Sequence, residues 1–439
     1  MDSLALLGAA LAGTLISSLL ACVPALHIYN VAGVLVILAV RGEGRVSGDL
    51  LAMFMLGLVV GYALVNALPS IFLGAPDEST IFVVLPGQRY LLQARGFEAA
   101  VLTGVGGLGG LLVLLLLAPV LPRILPAVRT VVAPHLHWIL GAVALFMLMS
   151  EWPKGFGRGA TRLARFWEAW RSLGAGLLTF FLSGLLGLVL FYGNLVPVEM
   201  AFQNLMPAFT GLFAVPWVVQ NLLSKVEVPA QRVPASVDLS PGLVVRGVGA
   251  GALGGLFAAF FPVVSGGIGG FLAGHATAQR DDRLFIISQG ASKLLYYVGG
   301  LLLLFVPGLH LTRGGMAWMV SLLYRPRTPA EYWTVVGAIA VCGALAFFLL
   351  VGLSRLASGF VSRVDYGLIS AATLVVLLGG VAVLTGWRGL LVTGAATGIG
   401  LLPVLWGSRR THCLGVLLVP LIVQMAGLGP TVAGRLGLI

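Results

Sequence analysis

Residues 66–90 read NALPSIFLGAPDESTIFVVLPGQRY. The stretch sets prolines, the adjacent carboxylates Asp77 and Glu78, and the pair Ser79 and Thr80 between runs apolar enough for a lipid bilayer. Hydrocarbon offers no water to a backbone amide, so a charged segment interrupted by Pro and Gly is tolerated there only where it lines a cavity or is buried in protein. The stretch therefore reads as the first half of a substrate site in a membrane protein.

Composition agrees. Of 439 residues, 59% are hydrophobic and 9% charged, where soluble domains carry about 25% charged residues. Apolar runs of about 20 residues recur along the chain, each able to cross roughly 30 Å of hydrocarbon as a helix. They predict an all-α polytopic membrane protein with about 10–12 transmembrane helices, some of them Pro/Gly-broken or re-entrant. The net charge of +11 sits in short loops and builds no continuous basic face with aromatics, which argues against nucleic acid and for positive-inside topology with anionic lipid as partner. Residues 154–171, KGFGRGATRLARFWEAWR, fit an amphipathic interfacial helix on the cytoplasmic side. The stretch 309–329 reads as a loop rich in Arg and Pro. Cys22, Cys342 and Cys413 are far apart and form no CxxC pair, so neither a disulfide framework nor a metal site is indicated. The N-terminus lacks a basic n-region and reads as a retained first span.

The only extended hydrophilic linker, residues 224–241, is Pro-rich and divides the chain into an N-terminal repeat, 1–223, and a C-terminal repeat, 242–439. Aligning Pro24 with Pro262 also pairs Ala12 with Ala250, Gly13 with Gly251, Leu15 with Leu253 and Ala21 with Ala259. Further on, VPWVVQ at 215–220 echoes VPLIVQ at 419–424. Two echoes in the same order argue for an internal duplication. Interrupted segments at corresponding places in two halves point to a transporter's site.

Several residues carry that expectation. Asp77 and Glu78 fit a pair that shares a proton or holds a coupling cation, or else hydrated acids capping the helix that starts at Ser79 or Thr80. Backbone amides after Gly74 and Pro76 open that helix, and a helix N-terminus is a ready anion site. Pro262 followed by Ser265, Gly266 and Gly267 offers the same chemistry, with amides, a hydroxyl and no bulky side chain, unless its glycines serve helix packing. Lys293 lies a turn or two inside an apolar helix; it fits a carboxylate or phosphate, a pair with Asp77 or Glu78, or snorkelling to an interface. His27, Asn30, Asn66 and Asn204 are polar linings or interhelical hydrogen-bond partners. No HExxH, GxSxG or Walker A pattern is present, so an enzyme is not expected.

The stretch 66–102, together with LMPAFTGLFAVPWVV at 205–219 and FPVVSGGIGGFLAG at 261–274, resembles the recurrent signatures of the TctA-type permeases. These are the large membrane subunits of tripartite tricarboxylate transporters, and the likeness is to their shorter, archaeal-type branch. The resemblance implies a secondary transporter of two related halves in a prokaryotic plasma membrane, moving organic anions such as carboxylates with Na+ or H+ coupling. It also implies a periplasmic binding protein and a small membrane subunit as partners. By matching motif its site residues are Gly74, Pro76, Ser79, Thr80, Pro262, Ser265 and Gly266. Two departures stand out: VLPGQRY lacks the acidic residue usual before this turn, and GASKLLYY replaces an Ala-Asn-rich segment. PVVSGG also resembles a signature of transporters proposed to return polyprenyl-phosphate lipid carriers across the membrane. A flippase for such a carrier, or a non-transporting scaffold, is the alternative to a permease with a midplane site between the two breaks.

Overall fold

The computed structural model describes residues 3–24, 26–41, 47–76, 79–153, 155, 157–196, 203–224 and 227–439. Among these residues every regular element is helical. Among the described residues nine helices are long and apolar enough to cross a membrane, and ten if Arg410–Met425 and the sharply bent Gly429–Arg435 form one span. Three shorter apolar helices accompany them, Ile28–Ala39, Ile81–Leu92 and Gly314–Leu323. The last lies inside the stretch expected to be a loop. The protein is thus an all-helical, multi-pass membrane protein, with side chains such as Leu116, Phe348, Val375 and Val383 exposed on the outer surface of its spans. In a bilayer such faces meet lipid.

Two compact units form, and they interleave along the sequence. The first takes Met1–Arg129 and Asn221–Thr373, the second Thr130–Glu199, Gln203–Gln220 and Leu374–Ile439. Neither unit coincides with a sequence half.

In the first unit, small residues bring helix backbones together. Ser3–Leu20 packs on Gly48–Val65 where Gly57 faces the Ala10 carbonyl and Gly13 faces the Phe54 carbonyl, so a side chain at either glycine would overlap backbone. Hydroxyls add bonds that hydrocarbon cannot compete for: Thr14 donates to the carbonyls of Ala10 at 2.9 Å and Gly57 at 3.2 Å. Gly254 of Pro241–Phe260 and Gly269 of Gly266–Ala276 approach each other in the same way. The linker is not a free tether. Gln231 accepts from the Gly96 amide at 2.9 Å and donates to the Leu91 carbonyl at 2.9 Å, while its own amide reaches the Ser362 hydroxyl at 2.8 Å.

The second unit departs from expectation once. The basic segment ending at Arg171 does not form a separate interfacial helix; Arg162–Tyr192 is one helix of 31 residues, capped by Thr161. At 1.5 Å per residue it is roughly 46 Å long, well beyond the hydrocarbon thickness, so its first turns still reach the headgroup region. The helical run Tyr366–Trp406 is broken into two helices at Gly386, whose φ of 69° and ψ of −168° lie in a region open essentially to glycine alone. Exposed Trp138, Trp152, Trp167, Trp387 and Trp406 lie at or near helix ends, as aromatic belts require.

Gly57→Ala puts a methyl against backbone, and is expected to cost about 1–3 kcal/mol, as overpacking does. Gly337→Ala, where an added Cβ meets nothing within 4 Å, should be neutral. Thermal midpoints of the two variants in detergent check this; equal midpoints would remove close backbone packing as the reason for Gly57.

Candidate functional site

Two interrupted helices of the first unit meet around Lys293. At the first interruption, Gly48–Val65 stops at Asn66 and a short helix, Ala67–Phe72, leads to Gly74, which takes φ +64°. Ser79 and Thr80 then precede Ile81–Leu92. Ser70 donates to the Thr80 hydroxyl at 2.7 Å, and Gln88 donates to the freed Ile71 carbonyl at 2.7 Å. At the second, Pro241–Phe260 ends and the chain turns through Pro262 and Val263, the latter held at φ +63°, before Ser265. A β-branched residue there is strained. Arg313 covers the interruption, donating to the carbonyls of Ala258 at 3.0 Å, Phe261, and Val264 at 3.4 Å.

Lys293 sits in Asp282–Leu294, which continues through a π-helical turn, Leu295–Gly299, into Gly300–Phe305. It is 2% exposed, so it does not snorkel. Its ammonium donates to Asn66 Oδ1 at 2.7 Å and to the Leu64 carbonyl at 3.4 Å, and Asn66 in turn donates to the Ser79 hydroxyl at 3.4 Å. Next to it, Ser292 donates to the Gly266 carbonyl at 2.7 Å. A Cβ on Gly266 would stand 2.8 Å from the Lys293 Cα, so only glycine lets the second interruption close on this helix. One buried cation thus joins Asn66 and Ser79 from one interruption to the start of Gly266–Ala276 at the other.

Thr80 is buried, and its hydroxyl makes no cap to its own helix. Ser265 does cap, accepting from the Ile268 amide at 3.3 Å, so one amide of that N-terminus is already satisfied. Gly267 is buried in the same first turn, and Pro262 lies in the turn that precedes it. Gly74 and Pro76 are buried too, Gly74 beside Asn221 and Gln88. His27 Nδ1 accepts from the Tyr29 amide at 3.2 Å, which leaves Nε2 to carry the proton of neutral imidazole and donate to the Tyr297 hydroxyl at 3.2 Å. Tyr297 is one turn past Lys293, so the break after Pro24 also reaches this region. Asn30 is buried, with its Nδ2 unpaired among the described residues. Asn204 belongs to the second unit and, from the turn before Met206–Phe209, donates to the Leu190 carbonyl of Arg162–Tyr192 at 3.1 Å. Asp77 and Glu78 lie outside the described residues.

Two residues were missed. Gln289, one turn before Lys293 on the same face, is 1% exposed with both amide atoms unpaired among the described residues. Its Nε2 would be 2.6 Å from a Cβ on Gly270. The polar run Ser288, Gln289, Ser292 ahead of Lys293 could have shown that this helix turns a polar face inward. Arg313 was absorbed into the basic loop, and nothing local marks it as a cover for carbonyls.

An all-helical membrane protein with a buried cation between interrupted helices falls in the class of membrane transporters. A model of the tripartite tricarboxylate transporter TctA family matches residues 7–415, and the chain belongs to that family. It is 26% identical over 382 residues to an uncharacterized protein of Methanocaldococcus jannaschii, covering 84% of this chain and 87% of that protein. No solved structure matches it.

The bond between Lys293 and Asn66 is charge-assisted and buried, so Asn66→Ala should lower stability by about 1.5–3 kcal/mol. In a double-mutant cycle with Lys293→Met the two losses should be clearly less than additive. Additive losses in thermal or denaturant unfolding would mean the contact is incidental.

Proposed function

We propose that the chain is the permease of a secondary transport system for an organic anion, most simply a carboxylate. The anion binds beside Lys293, with the hydroxyls of Ser79, Thr80 and Ser265, the amides opening Gly266–Ala276 and the Gln289 amide as further partners. The observation that carries this is the buried Lys293 fastened to Asn66 at one interruption and, through Ser292, to Gly266 at the other. A lysine inside a membrane span is rare and marks ion and substrate pathways, so an anion is the ligand expected beside it. Na+ or H+ is the coupling ion, and Asp77 and Glu78 are its proposed carriers. A prokaryotic plasma membrane, a small membrane subunit and a periplasmic binding protein complete the system, in keeping with the tripartite family.

One observation favours a second reading. An apolar cavity of about 300 Å³, lined by Leu68, Pro69, Phe72, Leu353 and Phe360 among others, adjoins the first interruption. A prenyl chain would fit such a lining, with a phosphate headgroup beside Lys293.

Thermal stabilisation of the purified protein by dicarboxylates, by tricarboxylates and by polyprenyl phosphate separates the two. The permease reading expects carboxylates to raise the midpoint and Lys293→Ala and Ser265→Leu to weaken that response roughly 10- to 100-fold, the worth of a charge-assisted bond. A response to polyprenyl phosphate alone would select the second reading. Full carboxylate response in both variants would overturn the site.

A further inference from the structure

The second unit holds a second concentration of buried donors, far along the chain from Lys293. After Trp406 the chain turns through Gly407, at φ +71°, into Ser408, Arg409 and the 3₁₀ turn Arg410–Leu414. Glu151 is the carboxylate that answers this turn. It accepts from the Arg409 amide at 2.6 Å and from His412 Nε2 at 3.4 Å, with Arg409 Nε 3.9 Å away. Burial raises its pKa, but the bonds from His412 and Arg409 outweigh that and hold it below the usual carboxylate value. One carboxylate therefore answers the Arg409 guanidinium and the His412 imidazole.

The remaining donors are what need an account. The Arg410 guanidinium carbon lies 3.9 Å from the Trp217 ring centroid, and its Nη2 donates to Gln220 at 3.3 Å. Arg410 Nη1, Trp217 Nε1, Ser408 Oγ, Thr411 Oγ1 and His412 Nδ1 are all buried and unpaired among the described residues. Thr411 is 3% exposed and His412 is fully buried. Leaving a buried polar group unpaired costs about 1–3 kcal/mol, so four such donors together, Arg410 Nη1, Trp217 Nε1 and the Ser408 and Thr411 hydroxyls, are not explained by packing. Cations and N–H and O–H donors in excess over acceptors are the chemistry of an oxyanion site.

Its position narrows the ligand. Glu151 ends the connection after Leu136–Met149 beside Trp152, whose ring lies 5.0 Å from that of Trp170 on the first turns of Arg162–Tyr192. Phe166 and exposed Trp167 belong to the same aromatic group. Trp-rich groups of this kind are characteristic of the headgroup region, where anionic phosphates gather. We propose that Arg410, Thr411, His412 and Trp217 form a phosphate-binding site at the membrane surface, filled by an anionic phospholipid headgroup or by free phosphate. It is independent of the Lys293 site.

The test uses the full chain. In one arm, inorganic phosphate is titrated into detergent-solubilised protein at constant ionic strength and the thermal midpoint followed. In the other, retention of phosphatidylglycerol over phosphatidylcholine is read by native mass spectrometry after passage through mixed nanodiscs. A response in the first arm alone means a free anion, and selective retention in the second means a lipid. Arg410→Gln should weaken whichever response is seen roughly tenfold or more. Trp217→Phe keeps the stacked ring and loses only the N–H, so it should fold and still weaken the response several-fold. Gly337→Ala, where an added Cβ meets nothing within 4 Å, should leave it unchanged. No response in either arm, or an unaltered response in both second-unit variants, would overturn the proposal.

Discussion

Breaking a helix inside hydrocarbon frees backbone groups that no water can reach, and much of the first unit is arranged around satisfying them. Gln88 takes the Ile71 carbonyl, Arg313 takes three carbonyls around Phe261, and Ser265 and Ser292 hold the two sides of the Gly266 turn. Each freed group costs several kcal/mol if left alone. The interruptions persist only because other parts of the chain supply donors at those points. Val263 at φ +63° shows the same over-determination, since its backbone is strained and is held by its surroundings.

Lys293 is the least dispensable of these groups. A charge at this burial is compatible with the fold because Asn66 and the Leu64 carbonyl accept from it. The π-helical turn that begins at Leu295, two residues on, carries Tyr296 and Tyr297, the latter in contact with His27. Such turns shift a helix's phase and are frequent at functional positions. Here the shift lets one helix present Lys293 to Asn66 and Tyr297 to the break after Pro24.

The second unit handles its charges differently. Its basic turn is tied by Glu151 and stacked on Trp217, near the end of long spans and not midway along one. A charge beside headgroups keeps partial access to water and to anionic lipid, so it needs less compensation than Lys293.

By itself, the sequence determined the class. Hydrophobic runs of span length leave only helices possible, and Pro and Gly within them mark where those helices break, because both effects are local to a few residues. It also singled out Lys293, Asn66, Ser79 and Ser265, as polar groups in apolar surroundings. What only the tertiary structure decided is which of them meet. The bond from Lys293 to Asn66 spans 227 positions, and no local pattern encodes that pairing. Gln289 and Arg313 escaped notice because their roles are defined by backbone supplied from other helices. So did Trp217, Arg410 and Thr411, ordinary in sequence and unusual only in being buried together with bonds unmade.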